Sequence, residues 1–218
     1  MPKSSKPVSA PDLYCITDVR LSGMAHEEQV AQMLEGGARI IQLRDKNLPD
    51  HEFELVANKC RSISHWSEAL FIVNDRVRSA AAVKADGVHL GQGDMSPAQA
   101  REILGEEVVV GLSTHNRAQF TRALEEPVDY IALGPVFPTT TKENPDPVVG
   151  LEFVTEASEM LRDDHRPLVL IGGINQENLP ALLEAAPRAL VAIMGGLLAR
   201  KDLAHGVREY RRIIRCRE

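Results

Sequence analysis

The chain has 218 residues, 44% of them hydrophobic and 26% charged, a globular balance that excludes a disordered chain, a collagen-like fibre and a disulfide-dense secreted module. Its 25 Lys and Arg against 31 Asp and Glu leave a net charge of −6, which provides no basic field for non-specific binding of nucleic acid or an anionic membrane. No apolar run approaches the roughly 18 residues of a membrane span, and Cys15, Cys60 and Cys216 lack metal or redox spacing.

This length predicts one domain. A flexible tail is expected over residues 1–12, rich in Ser, Pro and Lys without the apolar segment of a secretion signal, followed by a single domain over 13–218. The whole reads as a cytoplasmic protein with reduced cysteines. Strand-length apolar runs then recur, each followed by helical spacing. LYCITD from Leu13 leads to a helix over Glu27–Leu34, IIQLRD from Ile40 to one over Phe53–Ile63, and LFIVND from Leu70 to one over Val77–Lys84. GVHLGQ from Gly87 precedes Pro97–Leu104, which Ser96 can cap with Pro at the first helical position. VVVGLST from Val108 and YIALGP from Tyr130 precede helices over Arg117–Leu124 and Leu151–Leu161. LVLIGG from Leu168 is followed by Gln176–Ala185, with Asn175 as the expected cap, and LVAIMGG from Leu190 by Leu203–Ile214. Eight such units predict a closed parallel (β/α)8 TIM barrel, since an open doubly wound sheet would leave two edge strands with no spare segment to cover them. One connection is unusually long: Pro135 to Val149, PVFPTTTKENPDPVV, reads as a lid or ligand-clasping loop.

In such a barrel the active site lies at the C-terminal strand ends, and here these ends are polar. Arg44 and Lys46 share a face if their strand continues, and can converge on an anion; otherwise they belong to a salt-bridged turn with Asp45. Asp75 and Asp94 end neighbouring strands and suit one divalent ion, although each alone also reads as a cap or turn former. Together with Arg44 and Lys46 they make a coherent diphosphate site. Thr139, Thr140, Thr141 and Lys142 have the parts of a phosphate clasp or of a solvated turn. The pairs Gly172-Gly173 and Gly195-Gly196 follow the seventh and eighth runs, where barrels often bind phosphate. His115 is placed to orient a substrate or move a proton, whereas His89 reads as a hydrogen-bonded residue of the barrel. Trp66 and Met160 read as packing, and 208–218 as part of an amphipathic terminal helix. No dinucleotide fingerprint, P-loop or zinc-protease histidine pair is present.

The segments LYCITD (13–18), IQLRDK (41–46), FIVNDR (71–76), ADGVHLGQGD (85–94), GLSTH (111–115), DYIALGPVFPTTTK (129–142), VGLE (149–152) and IGGI (171–174) resemble, in order, the motifs of the thiamine phosphate synthase family. The resemblance implies that Gln42, Arg44, Lys46 and Asn74 hold a hydroxymethylpyrimidine diphosphate. It further implies that Asp75 and Asp94 bind Mg2+, that Ser113 and Lys142 contact the diphosphate, and that Thr139, Thr141 and Gly173 hold a thiazole phosphate. The partners implied are these two small molecules, with no nucleic acid or membrane; nothing in the sequence sets an oligomeric state. The chain departs from the family after its eighth run, where Met194-Gly195-Gly196 stands in place of a Ser-containing stretch and backbone amides of Met194 and Gly195 would have to replace a hydroxyl. Two rival readings are a thiazole tautomerase using His115 and a noncatalytic thiazole phosphate-binding protein. A tautomerase has no need of Arg44, Lys46, Asp75 and Asp94 together.

Overall fold

The computed structural model describes residues 11–65, 67–141 and 146–215. The expectations for residues 1–10, Trp66, Lys142 and Cys216 fall outside the described residues. Eight strands are present: β1 (Leu13–Ile16), β2 (Ile40–Leu43), β3 (Leu70–Asn74), β4 (Gly87–Leu90), β5 (Val109–Thr114), β6 (Tyr130–Leu133), β7 (Leu168–Ile171) and β8 (Leu190–Ile193). They pair in parallel in sequence order and β8 closes on β1, giving the expected (β/α)8 barrel.

The helices are α1 (Val19–Ser22), α2 (His26–Glu35), α3 (Asp50–His65), α4 (Val77–Ala82), α5 (Pro97–Leu104), α6 (Arg117–Ala123), α7 (Gly150–Met160), α8 (Leu179–Ala185), α9 (Gly195–Leu198) and α10 (Leu203–Arg215). Eight correspond to the helical segments read from the sequence; α1 and α9, four residues each, are additional. The capping of α5 is as expected: Ser96 Oγ accepts from the Gln99 amide while the Gln99 side chain returns to the Ser96 amide. The start of α8 differs. Asn175 Oδ1 accepts the amides of Glu177 and Asn178, closing a turn of its own, so the helix begins at Leu179 with Asn178 at its cap. None of the described helices is long and apolar enough to cross a membrane.

Strand alternation divides the apolar residues into two cores. Tyr14, Ile40, Leu70, Ile72, Val109 and Tyr130 are among those filling the barrel, while Cys15, Ile41, Phe71, Val73, Val110 and Ile131 point out against the helices. The interior interdigitates large with small: a Cβ on Gly111 would lie 1.9 Å from Cζ of Tyr130, its neighbour on β6. On the outside, helix α10 is fastened to the start of β1. The Asp12 carboxylate accepts from Arg211 at 2.9 and 3.1 Å and from Arg215 at 3.3 Å, and Arg211 also donates to the carbonyl of Gly37, ahead of β2. Burial pushes the Asp12 carboxyl up, but Arg211, the Leu13 amide and Arg215 outweigh it and hold it below its ordinary value of 3.8.

Candidate active site

Because every strand points the same way, inward-facing residues near the C-terminal ends converge on one cleft. Gln42, Arg44, Lys46, Asn74, Asp75, Asp94, Ser113, Thr139, Thr141 and Gly173 all line it, as do His115, Met194 and Gly195. Of the described candidates only Thr140 does not; it is exposed while its neighbours Thr139 and Thr141 face inward, their hydroxyls 3.1 Å apart. Lys142 lies outside the described residues.

Arg44 and Lys46 meet in this cleft from a turn and not from a shared strand face. Strand β2 stops at Leu43, so the two cations do not share a pleated face. The Asp45 carboxylate accepts the amides of Asn47 and Leu48 at 2.8 and 3.0 Å and winds the chain into a turn. Arg76 clamps that turn from outside through the carbonyls of Asp45 and Leu48. The other oxygen of Asp45 faces His26 Nε2 at 3.1 Å. Arg44 is mostly buried and Nη1 donates to Asp18 Oδ2 at 2.8 Å, which fixes the fork but leaves its other nitrogens available to an anion. Lys46 Nζ reaches across to Asp75 at 3.4 Å.

Asp75 adopts a left-handed backbone, φ 62°, a conformation that aspartate tolerates better than most residues. Its carboxyl is held above the ordinary range first by burial and then by the charge of Asp94, with Lys46 opposing both. Asp94 is itself oriented by the Gly91 amide, which donates to Oδ2 at 2.7 Å. Two neighbouring carboxylates, one of them held above its ordinary range by the other's charge, fit a divalent cation that would offset that repulsion. No cluster of three His, Cys, Asp or Glu exists among the described residues, so the remaining ligands would be water and substrate oxygens, the usual coordination of Mg2+.

Across the cleft, Gly172 and Gly173 have φ of 100° and 66°. A Cβ on Gly173 would lie 2.4 Å from the carbonyl oxygen of Pro138, so only glycine lets the β6 loop lie against β7. That loop is pinned at its root, the amides of Val136 and Phe137 donating to the carbonyls of Ile171 and Gly172 and that of Val149 to Pro135.

The floor holds a feature not foreseen from the sequence. Gln42 Nε2 donates to the Tyr14 hydroxyl at 2.9 Å, which bonds the Tyr130 hydroxyl at 2.9 Å; His89 then links Tyr130 to Ser113 Oγ, both at 2.8 Å. His89 is thus a hydrogen-bonded barrel residue, as expected, and also lines the cleft. Burial drives the Tyr130 hydroxyl well above its ordinary pKa, reinforced by Tyr14, so it stays protonated. The chain of bonds orients Gln42 and Ser113. Polar residues at inward positions of apolar strands were the available signal. His115, on the rim, has Nδ1 2.6 Å from the carbonyl of Gly134, which in the neutral ring makes Nδ1 the donor and Nε2 the acceptor.

Barrel and cleft together define a (β/α)8 enzyme whose polar groups gather, on the described residues, at one end of the strands. A family model, thiamine monophosphate synthase, matches residues 13–197. The thiamine-phosphate synthase of Dictyoglomus thermophilum is 37% identical over 204 residues, 93% of this chain and 90% of that one. The enzyme of the same name from Pelotomaculum thermopropionicum is 37% identical over 208 residues, 95% of this chain and 94% of the other. Among solved structures, thiamine phosphate pyrophosphorylase from Pyrococcus furiosus superposes with a TM-score of 0.82 at 35% identity, covering 93% of this chain and 95% of that chain. The chain belongs to the thiamine monophosphate synthase family and is a transferase.

Proposed function

We propose that this enzyme couples hydroxymethylpyrimidine diphosphate to a thiazole phosphate, giving thiamine phosphate and diphosphate. The observation that carries the reading is the meeting of Arg44, Lys46, Asp75 and Asp94 in one cleft, opposite the glycine turn at Gly172 and Gly173. Two cations and a carboxylate pair suit a leaving group with several negative charges, and the glycine turn leaves room for a second, smaller anion. In this reading the C–O bond of the pyrimidine CH2 breaks, its electron pair leaves with the diphosphate, and the thiazole nitrogen forms the new C–N bond to the resulting cation. Asp75 and Asp94 would hold Mg2+, whose charge offsets that of the departing diphosphate.

The chain's own residues hold and position. Arg44, Lys46 and Ser113 bind the diphosphate oxygens, while Gln42, fixed like Ser113 by the tyrosine chain, orients the pyrimidine side. Thr139, Thr141, Gly173 and the amides of Met194 and Gly195 receive the thiazole phosphate, and the apolar wall of Ile16, Ile171 and Met194 keeps water from the cation. Little acid–base chemistry is needed. The test is turnover of purified protein with both substrates and Mg2+, with and without chelator, following both products. Equal amounts of thiamine phosphate and diphosphate, abolished by chelator and restored by Mg2+, are expected. Thiazole phosphate binding without either product would overturn the reading.

A further inference from the structure

The turn that carries Arg44 and Lys46 is braced from behind by a buried histidine. His26, the first residue of α2, is 3% exposed, does not line the cleft, and bonds through both ring nitrogens: Nδ1 lies 2.8 Å from Thr17 Oγ1 and Nε2 3.1 Å from Asp45 Oδ2. Thr17 Oγ1 in turn accepts the backbone amide of Arg44 at 3.3 Å, and the Thr17 amide donates to the Gln42 carbonyl at 3.0 Å. With a neutral ring the directions are fixed by chemistry. A carboxylate only accepts, so Nε2 carries the proton; Nδ1 then accepts from the Thr17 hydroxyl, which accepts from Arg44 N–H. Each group has a partner of the right kind, and the ring ties the backbone of Arg44 and the side chain of Asp45 to the end of β1.

We propose that His26 is a positioning residue for the anion-binding turn, holding Arg44 and Lys46 at the spacing a diphosphate requires through Thr17 and Asp45. The inference rests on the reading of those two cations as diphosphate ligands. Beyond Leu43 the turn has lost the support of the strand ladder, and its two cations sit on long side chains. Their convergence depends on the backbone from which they spring. The Asp45 carboxylate is the hub of that backbone, binding Asn47 and Leu48 on one oxygen and His26 on the other. Deleting the ring nitrogens leaves a largely buried carboxylate short of one donor and frees the Thr17 hydroxyl to turn, and a shift of about an ångström in a binding group is enough to weaken a charged contact severely.

The test compares His26→Phe, which keeps a ring but no nitrogen, with His26→Gln, whose amide offers one donor and one acceptor as the neutral imidazole does. His26→Phe is expected to raise KM for the pyrimidine diphosphate about tenfold, leave KM for the thiazole phosphate within about twofold, and weaken Mg2+-dependent binding of inorganic diphosphate in parallel. His26→Gln is expected to recover most of both losses. If His26→Phe does not fold, Thr17→Val, which removes the hydroxyl between His26 and the Arg44 amide but leaves the His26–Asp45 bond, is expected to give a rise of the same selective kind. A folded His26→Phe variant with unchanged constants, or with both KM values rising together, would overturn the proposal. Diphosphate binding by calorimetry separates this inference from the assigned reaction. A chain that makes no thiamine phosphate, yet loses diphosphate affinity on His26→Phe, retains the positioning role and loses the function; no diphosphate binding by the unmodified chain overturns both.

Discussion

Asp94 is the residue whose loss is easiest to interpret, because its exposed carboxylate is held by the Gly91 amide in the turn after β4 and no core packing depends on it. Asp94→Ala should lower turnover by about a hundredfold or more, the scale of removing one preorganised electrostatic group, while the melting temperature stays close to that of the unmodified chain. A folded variant with near-normal turnover would remove Asp94 from the diphosphate site. The cysteines give a second expectation. Cys15 and Cys60 are fully buried, and desolvation pushes the Cys60 thiol up to about 12 and that of Cys15 higher still. Both should resist alkylation in the native protein at neutral pH and react once it is unfolded, as read by peptide mass spectrometry. Most of the residues lining the cleft were legible in the sequence because a polar residue directly after an apolar run has only one place to go in a barrel. The roles of Tyr14 in the floor, and of Asp18, His26 and Tyr130 behind the cleft, were not, since they depend on partners between 9 and 116 positions away in the chain.

At the level of elements, the eight alternations were readable because each strand is apolar on both faces and each helix on one. The short helices α1 and α9 were not, because four residues carry no period. The end of β2 is open in the sequence: alternation gives Arg44 and Lys46 a shared face only while the ladder lasts, and the Asp45 carboxylate ends it by collecting two amides, so the turn alternative holds. The interior offers a direct test of how strand β5 supports the floor. Gly111→Ala would drive a methyl into the Tyr130 ring, and the strand cannot yield without moving Ser113 two residues on. We expect it to cost about 2 kcal/mol or more, an overpacking penalty, and to lower turnover as well. Pairing it with Tyr130→Leu, which clears the space, should restore stability without restoring full turnover, as read by denaturant melts alongside the product assay. Restoration of neither would point to the backbone rather than the ring as the point of conflict.

For the molecule as a whole, the contact of Asp12 with Arg211 and Arg215 joins the first strand to the last helix. Its carboxyl is held below the ordinary value of 3.8, so the stability it contributes is fully present above about pH 4 and is lost as pH falls through the lower folded value. Asp12→Asn leaves the arginines without their counter-charge and should cost about 3 kcal/mol at neutral pH. The difference from the unmodified chain should shrink on acidification, as followed by melts between neutrality and acid; a constant difference would assign the loss to packing. The same closure has a consequence for chain connectivity. Since β8 bonds β1 as β1 bonds β2, the barrel has no seam, and the order in which the backbone visits its strands is one of several cuts through the same circle. Joining the ends near Asp12 and Arg215 with a short linker and reopening the chain in the exposed turn between Arg162 and Asp163 should give a circular permutant with the same barrel and the same cleft.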